Sequence, residues 1–148
     1  MGRTGVVCVL ALLAFGGCGE RTPPTQACIE AQSADVLQAL TRAPQRVALA
    51  DGTPLSQCVR RTIDDSRLQA LGATLIAAAD ELARQMRTSD AAAFQLGFLI
   101  GAVDRGTAQA AGLQDELANR IAGTAAGVDA GPQRAAMLRG RAAGRRGG

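Results

Sequence analysis

Residues 91–103 read AAAFQLGFLIGAV, thirteen consecutive positions without a charge. A segment that is apolar around most of its circumference belongs at the buried centre of a helical bundle. Thirteen residues fall well short of the roughly twenty a membrane-spanning helix needs, so this centre lies inside protein and not in lipid. Gly97 and Gly101 stand four apart within it, flanked by Phe94, Leu96, Phe98, Leu99 and Ile100. Small residues at that spacing let a second helix approach closely. The two glycines therefore mark a groove for a neighbouring helix, with a ligand-binding groove as the other reading.

The segments on either side carry helical periodicity. Over 27–43, Ile29, Val36, Leu37 and Leu40 recur on one side, with Gln32, Ser33, Gln38 and Arg42 on the other, until Pro44 ends the pattern. Residues 47–50 followed by Asp51-Gly52 suit a short extended piece entering a turn, after which Thr53 as N-cap and Pro54 as first helical residue start a short helix through Cys58 towards Ile63. Asp64 or Asp65 then caps the longest helix, expected to reach about Arg87. Its apolar stripe is Leu68, Leu71, Leu75, Leu82 and Met86, widened by Ala78, Ala79 and Ala83, opposite Arg67, Gln69, Glu81, Arg84 and Gln85. Thr88-Ser89-Asp90 supplies a fresh cap for the central helix. Thr107 is the expected cap of a last helix, where Leu113, Leu117 and Ile121 recur every four residues before the pattern fades at 123–127. The expected fold is all-α, a small bundle of about four helices over 27–127 with Phe94 and Leu99 as large anchors.

The start of the chain has a different logic. Met1, Gly2 and Arg3 lead into an apolar run over 6–15 that ends at Phe15-Gly16-Gly17-Cys18. A charged n-region, a short h-region and small residues before a cysteine make a secretory signal with a thiol at its end. This resembles a bacterial lipoprotein precursor, with Phe15 where that family usually carries Leu. The resemblance implies a signal peptide at 1–17, cleavage before Cys18, a diacylglyceryl thioether on its sulfur and often an acylated amino group such as palmitate supplies. It places the protein outside the cytoplasm, lipid-anchored to a membrane, with 18–26 and its Pro23-Pro24 as a tether. Gly19 offers no inner-membrane retention Asp, which favours outer-membrane delivery where a cell has two membranes and the outer face where it has one.

On that resemblance Cys8 leaves with the signal and Cys18 carries lipid, so Cys28 and Cys58 remain as one pair in a compartment that permits disulfides. A bridge is the economical reading and two buried thiols the other. Closing a loop of about thirty residues contributes on the order of 3 to 4 kcal/mol in the chain-entropy model. The bundle is therefore expected to be disulfide-pinned.

The chain contains no His, Trp, Tyr or Lys, and its sixteen basic residues are all Arg. A His base or metal ligand, a catalytic Tyr and a Schiff-base Lys are excluded, and the usual aromatic platforms for sugars and bases are missing. The acidic pairs Asp64-Asp65, Asp80-Glu81 and Asp115-Glu116 are neighbours whose side chains diverge on a helix, so caps and solvated faces account for them better than acid–base catalysis. Ser33, Ser56, Ser66 and Ser89 lie in no nucleophile elbow. Asp51-Gly52 lacks the further ligands of a calcium loop. No catalysis, cofactor or metal is expected.

Arg60 and Arg61 beside Asp64 and Asp65 suit intramolecular ion pairs, with a phosphate or carboxylate clamp as the other reading. Residues 128–148 are rich in Gly and Arg; Arg134, Arg139, Arg141, Arg145 and Arg146 follow the Gly131-Pro132 break with no acid among them. Such a tail reads as solvated and disordered, or as a contact for phosphates of an envelope polymer or lipid, with nucleic acid excluded by the address. Two functions follow. One is a lipid-anchored adaptor that docks a protein partner in the cell envelope; the other is a structural tether whose arginine tail binds anionic polymer or lipid.

Overall fold

The computed structural model describes residues 22–126 and 131–148. The chain is all-α and, among the described residues, has seven α-helices: α1 Gln26–Glu30, α2 Ser33–Leu40, α3 Leu55–Arg61, α4 Asp65–Gln85, α5 Asp90–Thr107, α6 Leu113–Ala126 and α7 Arg134–Gly147. The expected count of about four is corrected upward. One added helix comes from the 27–43 segment, which breaks at Ala31 and Gln32, where the Gln32 amide donates to the Asp35 carboxylate at 2.9 Å and opens α2. Glutamine is a weak capping residue, so the side-chain pattern runs across the break without announcing it.

The uncharged segment is the hub. Helix α5 packs against α2, α3, α4, α6 and α7, and Leu96, Phe98, Leu99, Ala102 and Val103 along it are shut off from solvent. Ser89 caps it by accepting from the Ala92 amide at 3.2 Å. Its far end runs past residue 103 to Thr107, whose hydroxyl donates back to the Val103 carbonyl at 3.2 Å, so Thr107 closes α5 and does not cap α6. Of the two aromatic rings, Phe98 is the buried one, whereas Phe94 is only half-buried and is not the central anchor expected of it.

Helix α4 keeps its stripe: Leu68, Leu71, Leu75, Ala78, Ala79 and Leu82 are buried, and Asp64 caps it by accepting from the Arg67 amide at 2.9 Å. Pro54, not Thr53, stands at the N-cap of α3. The Thr53 amide and hydroxyl instead donate to the Asp51 carboxylate, each at 2.9 Å, and tie the Asp51-Gly52 turn. Gly52 sits there at φ +82°, which a residue without Cβ adopts freely. Cys28 on α1 and Cys58 on α3 form a disulfide, with Cα atoms 5.3 Å apart, and both are buried.

The largest departure from expectation is at the C-terminal end. The arginine-rich segment is not a disordered tail; a 3-10 turn over Gly131–Gln133 leads into α7, which packs along α5. The helical domain therefore does not stop at 127. Ala136, Gly140 and Gly144 are buried in the contact, four residues apart. A Cβ on Gly140 would overlap the Phe94 carbonyl oxygen, and one on Gly144 the Phe98 carbonyl oxygen. From the other side, Gly97 would strike the Met137 carbonyl and Gly101 the Arg141 carbonyl. Positions rise together along both helices, so they run parallel. The groove inferred from Gly97 and Gly101 is filled by this segment. Glycine costs a helix about 1 kcal/mol per residue relative to alanine, so α7 owes its existence to this packing and not to intrinsic propensity.

Candidate functional site

The five arginines singled out from the sequence lie on α7 and divide by environment. Arg141 and Arg145, one turn apart, both reach Asp104 of α5: Arg141 Nη2 at 2.9 Å and Arg145 Nη2 at 2.8 Å, with the Asp104 side chain only 17% exposed. Two guanidinium groups on one partly buried carboxylate bind the helix to its neighbour. Arg134, Arg139 and Arg146 are exposed and pair with no acid among the described residues. Cys18 lies outside the described residues.

Two surfaces have the shape to receive a partner. The first lies between α4 and α6, where Gly72 of α4 faces Leu117 of α6. Here the close approach is to a side chain: a Cβ on Gly72 would stand 3.2 Å from Leu117 Cδ1. The helices leave between them a groove of about 390 Å³ whose walls include Leu68, Ala73, Ile76, Leu113 and Leu117, with Glu116 and Arg120 at its edge. Leu113, expected to face the core, is 45% exposed on its lip. Glu116 and Arg120 pair with each other at 2.8 Å, which leaves the edge neutral and the walls apolar.

The second surface is a cleft of about 650 Å³ where the end of α3 meets the turn between α5 and α6. Arg60, Arg61 and Arg105 line it with Thr22, Gln109 and Gln114, and no acidic residue takes part. The ion pairs expected between Arg60 or Arg61 and Asp64 or Asp65 are not formed among the described residues. Asp64 is instead occupied by the Arg67 amide and by the Ser66 hydroxyl at 2.6 Å. Nor are the two arginines needed to cap α3, since the Gln114 amide donates to the Val59 and Thr62 carbonyls at 3.1 and 3.0 Å. Arg105 donates Nη1 to the carbonyl oxygen of Arg146 and to an oxygen of Gly148 at 3.5 Å.

Three carboxylates are stabilised in their ionised form. Asp51 is held below its ordinary value by the Thr53 amide first and by the Thr25 hydroxyl, Asp64 by the Ser66 hydroxyl and the Arg67 amide, and Glu81 by the Gln85 amide and Arg84. Groups shifted this way are ionised near neutral pH and cannot donate a proton there. Among the described residues no group of three His, Cys, Asp or Glu could hold a metal ion, and no helix is long and apolar enough to cross a membrane. No protein family model matches the chain, and no curated protein or solved structure is similar to it.

Proposed function

We propose that the protein is a lipid-anchored extracytoplasmic adaptor, without enzymatic activity, that docks an envelope protein in the groove between α4 and α6. The observation that carries this reading is the groove itself: an apolar trough with Leu113 exposed on its lip and a self-neutralised edge, suited to the apolar side chains of one helix or strand of a partner. The start of the chain supports the address, since Phe15-Gly16-Gly17-Cys18 offers a thiol where lipoproteins carry their lipid. The tether reading is less favoured, since Arg141 and Arg145 are bound to Asp104 on a packed helix and only Arg134, Arg139 and Arg146 of the five face outward without an acid partner among the described residues.

The test is in-cell photocrosslinking from position 76 in the groove beside position 142 on the exposed side of α7. The expected result is one discrete protein adduct from position 76 that withstands raised salt, is absent from position 142, and disappears when Ala73→Glu and Leu113→Glu charge the walls. Equal adducts from both positions, or none from position 76, overturn the docking site. An intact mass of the membrane-bound protein that shows no lipid on Cys18 overturns the anchor.

A further inference from the structure

We propose that the cleft lined by Arg60, Arg61 and Arg105 is a seat for the phosphate of an anionic phospholipid headgroup, and that it holds this end of the domain against the bilayer. The inference rests on the reading of Cys18 as lipid-bearing. Two separate parts of the chain bring three arginines to one cleft, the end of α3 supplying two and the end of α5 one, with no Asp or Glu on its walls. A single arginine in the last turn of a helix offsets the helix dipole, and that would account for each residue alone. It does not account for their convergence, nor for carbonyls at the end of α3 that Gln114 already serves.

Position supplies the second argument. Thr22 lines the same cleft and stands four positions after Cys18. Four extended residues span at most about 14 Å, so a lipid on Cys18 would bring the bilayer surface within reach of the three guanidinium groups. Thr22, Pro23 and Pro24 also lie beside Arg61 and Ile63 in an adjoining cleft. Ile63 is 60% exposed at that place, an apolar side chain beside Arg61 and Arg67, with Asp64 on the same wall held by the Arg67 amide and the Ser66 hydroxyl; apolar and cationic groups together favour a headgroup–acyl boundary. The guanidinium fork matches a phosphate diester, and each arginine near an anionic surface strengthens binding severalfold.

The experiment uses the chain from residue 18 onward with Cys18→Ser, which retains every described residue and removes the acyl chain, in sedimentation with vesicles of phosphatidylcholine alone or with phosphatidylglycerol added. Binding is expected to the phosphatidylglycerol vesicles only, to fall roughly a hundredfold in Arg60→Gln/Arg61→Gln/Arg105→Gln, and to change less than about threefold in Arg87→Gln/Arg134→Gln/Arg139→Gln, which removes equal charge elsewhere. Equal losses in the two triple variants would reduce the effect to net charge and overturn the site. Saturation of the cleft by inorganic phosphate without vesicle binding would make it a small-anion pocket and overturn the headgroup. Intact mass of the membrane-bound wild type separates the two readings: lipid on Cys18 without cleft-dependent vesicle binding keeps the anchor and overturns the seat, while cleft-dependent binding with an unmodified Cys18 does the reverse.

Discussion

Two helix seams in this molecule place glycine at the crossing and come out differently. Between α5 and α7 the glycines of each helix lie under carbonyl oxygens of the other, so backbone meets backbone with no room for a methyl group. Between α4 and α6, Gly72 meets the tip of a leucine side chain, and an open groove runs beside it. The first seam is closed by geometry and then bound by Asp104 to Arg141 and Arg145. The second is held by side chains that can move. A protein built this way fixes its shape at one seam and leaves an open groove beside the other.

Substitutions should separate the seams in order of size. Gly140→Val in the closed seam must push α7 away from α5, which should cost about 3 kcal/mol and lower Tm by roughly 10 °C in thermal unfolding. A Tm within a degree or two of wild type would show that the seam is not closed. Asp104→Asn removes the charge two arginines share while keeping the shape; a loss of about 1 to 2 kcal/mol in denaturant unfolding is expected, against no change if α7 is held by packing alone. For Gly72→Ala the gain in helix propensity offsets the shift asked of Leu117, so stability should stay within about 0.5 kcal/mol while crosslinking from position 76 weakens. A large destabilisation there would make the two seams alike.

The smallest effect concerns pH. The Asp64 carboxyl, capping the start of α4, lies below its ordinary value in the folded chain, so it contributes stability in full above the ordinary carboxylate range. That contribution is lost as pH falls through the lowered value. Wild type should lose stability on acidification and Asp64→Asn should lose less; parallel curves would remove the cap from the account.

Much of the closed seam is legible in the sequence, one helix of it by composition and the other only by spacing. Residues 91–103 announced a buried helix by lacking charge, and Gly97 with Gly101 announced a close neighbour. The neighbour carries the same signal, with Ala136, Gly140, Gly144 and Gly148 every four residues. Gly-and-Arg composition pointed to disorder while spacing pointed to packing, and spacing prevailed because the arginines between the glycines could stay solvated or meet Asp104. The disulfide is legible in the sequence once the lipoprotein resemblance is taken to set Cys8 and Cys18 aside, which leaves Cys28 and Cys58 as a pair. Thr53 and Thr107 misled because a threonine hydroxyl serves a turn or the carbonyl one turn back as well as it serves a cap.

The candidate sites were harder to read. Leu113, Leu117 and Ile121 repeat as a core stripe, yet only Leu117 and Ile121 are buried, and periodicity does not say that α6 stops short of covering α4. Arg60 and Arg61 were visible as a pair. Their meeting with Arg105 depends on how α3 crosses α5, where Gly106 lies against Ser56 and Val59, and no local pattern encodes a contact at that separation.

The most direct test of the closed seam is amide hydrogen exchange over residues 134–147, compared with 96–107. The account predicts that the arginine-rich helix exchanges as slowly as α5, while the first turns of α6 open sooner. Exchange of 134–147 at the rate of an unstructured chain, with α5 still protected, would contradict it and return that segment to a solvated tail.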